Sequence, residues 1–98
     1  MRTYYSEFVK HCMTFYTQYP YPCFRSDADK KNWFACDNAL KNVKAETRDI
    51  ILDVYLERRE NFSESVSHVA KLEKMNVNSL WKIVEDFERI VAKKRGLL

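Results

Sequence analysis

The side chains of this sequence that could do chemistry are few, and most stand where they cannot act together. His11, Cys12, Cys23, Cys36 and His68 are the types that bind metals, yet they include no CxxC or HxxxH spacing to offer an ion two ligands from one turn. His11 and Cys12 are neighbours, and on a helix their side chains diverge by about 100°, too far for a nucleophile and its base. The one glycine, Gly96, lies near the C-terminus, so no glycine-rich loop can cradle a phosphate. No carboxylate pair falls in an evident cleft. The expectation is a chain that is not an enzyme and carries no metal and no cofactor.

Near the C-terminus the chemistry is of another kind. Asn78 and Lys82 stand one helical turn apart, where they share a face. Asparagine can hold adenine through two hydrogen bonds and lysine can reach guanine, so the pair suits the base edges of duplex DNA. In a helix that serves only the fold, the same two residues are ordinary solvated surface. Asn76 and Ser79 flank them, and Arg89 lies further along the same side. Lys93, Lys94 and Arg95 suit backbone phosphates, and equally suit the negative end of a helix dipole. Trp81 sits at the margin of this face. It has three possible fates: packing on the N-terminal helix, marking a protein interface, or touching a thymine methyl. Packing is the commonest fate of a tryptophan. Ser63 and Ser65 could hold phosphate at a helix N-terminus, although capping is the commoner role. Tyr19, Tyr21 and Phe24 around Pro20 and Pro22 could stack single-stranded bases. Only Arg25 supplies charge nearby, so packing over the core is the better expectation.

The elements that position these residues read as helices throughout. Tyr5, Phe8, Val9, Cys12, Phe15, Tyr16 and Tyr19 recur at helical spacing until the two prolines stop them. Ser26 caps a second helix with Asp27 and Asp29 in its first turn and Trp33, Cys36, Leu40 and Val43 on its face. A third helix spans about Ala45 to Arg59. Its stripe of Thr47, Ile50, Ile51, Val54 and Arg58, widened by Leu52, Tyr55 and Leu56, is broad enough to predict a central place in the fold. Either Asn61 or Ser63 starts a fourth, with Val66, Val69, Ala70 and Leu72 as its inner face. The fifth carries Leu80, Ile83, Val84, Phe87, Ile90 and Val91 inward and ends at Gly96.

Composition agrees. The chain has 98 residues, 46% hydrophobic and 32% charged, the balance of one globular domain. With one Gly and two Pro it lacks the turn residues that hairpins need. The net charge of +3 is too mild to decide for or against a nucleic-acid partner. Three cysteines, an odd number, with no signal peptide ahead of them point to reduced thiols and a cytoplasmic protein. No apolar run is long enough to span a membrane.

The last helices satisfy the chemistry of a helix-turn-helix: a short first helix, small Ala70 at the crossing, Met75 plugging the turn, Asn76 capping, and Leu80 and Ile83 locking the second helix down. Lys74 stands where such turns usually carry glycine, so the backbone there needs φ > 0 or a different turn. Glu73 replaces an apolar residue. The stretch 39–98 resembles region 4 of sigma-70-type factors and the sigma-like regulators of phages and mobile elements. The resemblance is carried by Ala39-Leu40, Glu46-Thr47-Arg48, Ile50-Ile51-Leu52, Tyr55, Ser65-Val66, Val69-Ala70, Met75-Asn76, Ser79-Leu80 and Ala92-Lys93-Lys94-Arg95. It implies a second helix on DNA and contact with RNA polymerase.

The expected fold is all-α. About five helices form one domain: an aromatic N-terminal helical pair (1–43) and a helix-turn-helix-like part (44–98). The expected function is DNA-binding transcriptional regulation through the helix from Val77. The rival is a helical protein–protein interaction or self-association module without DNA contact.

Overall fold

Short polar side chains open three of the helices in the computed structural model, which describes residues 5–18, 24–57 and 61–97. Ser26 accepts from the N–H of Asp29 at 3.2 Å, Asn61 from that of Glu64 at 2.9 Å, and Asn76 from that of Asn78 at 2.8 Å. Each bond satisfies a donor that the first helical turn leaves without an intrahelical partner. The described residues form five helices: α1 (Ser6–Gln18), α2 (Asp27–Lys41), α3 (Ala45–Leu56), α4 (Phe62–Leu72) and α5 (Val77–Arg95). The fold is all-α, with no strand among these residues.

Two apolar clusters fill the interior. The larger joins α1, α2, one side of α3 and the C-terminal half of α5 around Val9, Cys12, Met13, Cys36, Leu40, Ile51, Tyr55, Phe87 and Val91. The smaller holds Val54 of α3, Val66, Val69 and Ala70 of α4, and Leu80 and Val84 of α5. Phe62 and Ile83 pack against both. α2 meets α5 with small residues buried on each side, Ala35 and Ala39 against a helix that buries Ala92, which lets the two backbones approach.

α1 buries Met13 completely alongside Val9 and Cys12, while Phe8, Phe15 and Tyr16 are only half-buried. Its expected aromatic stripe is therefore the flank of the contact, and its smaller residues form the centre. Phe24 packs on Trp33 and Phe34, at ring-centroid distances of 6.1 and 5.8 Å, as expected for that loop residue. Tyr19, Pro20, Tyr21, Pro22 and Cys23 lie outside the described residues.

Three sequence expectations need correction. α3 stops at Leu56, because Glu57 adopts an extended backbone (φ −64°, ψ 124°). Glu57 is held there from α4: its carbonyl accepts from the Ser65 hydroxyl at 3.4 Å, and its carboxylate meets His68. Arg58 and Arg59, expected to continue the helix, lie outside the described residues. Second, α3 is not the central helix. Leu56 is 53% exposed, and although α3 lines both clusters through Ile51, Tyr55 and Val54, it packs chiefly on α1 and α4, whereas α5 packs on α1, α2 and α4. At 19 residues α5 is about 28 Å long, enough to serve as a shared axis. Third, Leu72 does not join the inner face of α4, since it is 65% exposed.

Candidate nucleic-acid interface

The connection from α4 to α5 begins with a left-handed residue. Lys74 has φ 54°, the one non-glycine with positive φ among the described residues. Around it the Met75 N–H bonds to the Ala70 carbonyl at 3.0 Å and the Lys74 N–H to Lys71 at 3.3 Å. This pair of bonds closes the end of a helix in a Schellman motif, in which glycine is the usual left-handed residue. Lysine pays the steric cost of the conformation, and the turn forms without glycine. Met75 folds back half-buried onto the smaller cluster, the plug expected from sequence. Asn76 then caps α5.

With Leu80 and Val84 fully buried against α4, the opposite side of α5 is turned outward. Asn78, Ser79, Lys82, Glu85, Arg89 and Lys93 are all exposed. Lys71 and Lys74, at the end of α4 and in the turn, are exposed as well.

The structure does not bring all the expected residues to one place. Asn76, Asn78, Ser79 and Lys82 gather on the first turns of α5. Lys93 and Lys94 are exposed but lie near the far end of the helix, and Asn78 and Lys93 are about 22 Å apart along its axis. Arg89 lies between and pairs with Asp86 at 3.1 Å, a surface contact between two exposed side chains. Trp81 turns inward: it is half-buried and stacks edge-on against Phe62 of α4 at 5.9 Å. Of its three expected fates, packing prevails, although its partner is α4 and not the N-terminal helix.

Arg95 is also taken by the fold. Its Nε donates to Oδ1 of the buried Asn32 at 2.6 Å, and its guanidinium lies over the Phe8 ring at 5.8 Å. These contacts fasten the end of α5 to α1 and α2, which gives Arg95 a structural role in the fold. Ser65 is likewise buried, with its hydroxyl on the Glu57 carbonyl, while Ser63 is exposed.

The charge of the outward face differs from what sequence implies. Glu85, Asp86 and Glu88 all read as surface acids, yet Glu88 is 1% exposed. Its position explains this: it stands four residues after Val84 and three before Val91, on the edge of the buried stripe. Asp86 is paired with Arg89. Glu85 is thus the acid that the face presents beside Asn78 and Lys82, with Glu73 exposed in the neighbouring turn.

Among the described residues no group of three or more His, Cys, Asp or Glu is placed to hold a metal ion, and no helix is long and apolar enough to cross a membrane. Compared with protein-family models, curated proteins and solved structures, the chain matches none.

Proposed function

We propose that α4, the turn through Lys74 and α5 act as a helix-turn-helix that binds duplex DNA. The first turns of α5 would enter the major groove, making the protein a transcriptional regulator. The observation that carries this reading is the joint exposure of Asn78 and Lys82 on the side of α5 opposite Leu80 and Val84, with Ser79 exposed on its flank. A recognition helix needs that division, with one side locked to its partner helix and base-reading side chains on the other near its N-terminus. Asn78 and Lys82 are the base-edge contacts of this reading, and Lys71 and Lys74 its phosphate contacts. Burial takes Glu88 off the outward face, and Asp86 is paired with Arg89, which leaves Glu85 as the exposed acid on that face without an ion pair among the described residues.

The test is binding to a labelled random-sequence duplex across a salt series. The two phosphate contacts of Lys71 and Lys74 predict that log K falls against log salt with a slope of about −2. Lys82→Ala should weaken binding and Asn78→Ala/Lys82→Ala should weaken it further, with circular dichroism unchanged. Failure of the folded protein to bind at low salt overturns the reading.

A further inference from the structure

Between α3 and α4 lies a groove of about 330 Å³, at the small end of the range that receives ligand groups. α3 contributes Asp53 and Leu56 with Glu57 at its C-cap, and α4 contributes Val69 and Leu72 with Glu73 at its C-cap. Both sets are spaced i, i+3, i+4, so each wall is one helix face. Val69 is buried at the floor, whereas Leu56 and Leu72, at 53% and 65%, are the most exposed large apolar side chains described. The rim is acidic. Asp53 and Glu73 are exposed, and Glu57 is half-buried with His68 beside its carboxylate. Lys71 falls between Val69 and Leu72 in sequence, so it lies off the groove face of α4.

We propose that this groove docks a basic, leucine-bearing amphipathic helix of another protein. Two exposed leucines walling an apolar trough call for apolar anchors at helical spacing, and carboxylates on both walls call for lysine or arginine beside those anchors. The charge selects the occupant: an acidic helix would meet like charges on either side. The surface is separate from Asn78 and Lys82, so the proposal does not depend on DNA binding.

The probe is a fluorescent synthetic helix of about fifteen residues with leucine on one face and lysine on the other, set against a leucine–glutamate counterpart. Anisotropy titrations should show the lysine peptide binding at least about tenfold tighter than the glutamate one. Leu56→Ser/Leu72→Ser, both at exposed positions, should weaken it by about tenfold or more. Asp53→Lys/Glu73→Lys should reverse the preference between the peptides, and Lys82→Ala should leave both titrations unchanged. Equal binding of the two peptides, or indifference to the leucine and charge changes, overturns the proposal. So does sedimentation showing self-association that Leu56→Ser/Leu72→Ser abolishes, since the occupant would then be a second copy of the chain.

Discussion

The two halves of α5 sit in different interiors. Its C-terminal half places Phe87, Val91 and Ala92 among Tyr5, Met13, Tyr55 and the thiols of Cys12 and Cys36. Its N-terminal half places Leu80 and Val84 among valines and Ala70. The C-terminal half is also fastened by the polar contact of Arg95 with Asn32, and the bond from Tyr16 to Asp37 ties together α1 and α2, the helices on which it packs. The N-terminal half is joined to α4 by a turn that holds a lysine in a glycine's conformation. One half braces, and the other presents the surface on which the proposed function rests. A helix rooted in a bulky cluster can leave its other end thinly covered on one side, as a groove-reading surface requires.

Deleting one large side chain from each cluster gives the largest effects. Phe87→Ala should cost roughly 3–5 kcal/mol and Leu80→Ala roughly 2–5 kcal/mol in denaturant unfolding, since both leave cavities in closely packed surroundings. Hydrogen exchange should separate them. Leu80→Ala should speed exchange in α4 and the first turns of α5 and spare α1 and α2, whereas Phe87→Ala should speed it everywhere. Uniform loss of protection in both variants would mean that the two clusters open as one unit.

The presenting half is also where a small stabilisation is available. At Lys74, φ 54° costs a residue with a Cβ about 1 kcal/mol that glycine avoids, as Gly96 does at φ 86° at the end of α5. Lys74→Gly should therefore raise stability by about 1 kcal/mol, read from the denaturation midpoint, while weakening DNA binding by one phosphate contact. A loss of stability would mean that the lysine side chain contributes more to the turn than its backbone costs.

How much of this was legible in the sequence depended on whether one helix sufficed to decide it. The α5 stripe from Leu80 to Val91, the caps Ser26 and Asn76, the strained Lys74 and the plug Met75 follow from local spacing and residue type, and the structure has all of them. What depends on a second element was not legible. Leu56 and Leu72 continue their stripes, yet they stay 53% and 65% exposed. Glu88 looks like a surface acid until the helices pack, when it is left 1% exposed. Arg95 resembles Lys93 and Lys94 in sequence, and only the packed fold brings Asn32, 63 residues earlier in the chain, within its reach. Of the proposed DNA contacts, the periodicity puts Asn78 and Lys82 outward and Trp81 at the margin, but it could not name Phe62 as the ring Trp81 packs on, because Phe62 lies on another helix.

The smallest effect belongs to the bracing half. The Tyr16 hydroxyl donates to Oδ1 of Asp37 at 2.9 Å, tying α1 to α2. Burial first, and then the Asp37 carboxylate, push the phenol up from its ordinary 10.0 to about 12. A pKa raised by folding means that the unfolded chain loses this proton first, so stability falls as pH rises. The contribution of Tyr16 is complete below pH 10 and is lost between pH 10 and about 12. Tyr16→Phe should cost less than about 1 kcal/mol at neutral pH, the scale of one partly exposed hydrogen bond. It should also flatten the alkaline limb of the stability profile relative to the unmodified chain. If instead the two profiles run parallel through that window, other groups set the alkaline limb and the Tyr16–Asp37 bond contributes nothing to the brace. Apolar packing, Val9, Cys12 and Met13 with Cys36 and Leu40 at the centre and Tyr16 against Trp33 at 5.1 Å on the flank, would then carry the contact between α1 and α2.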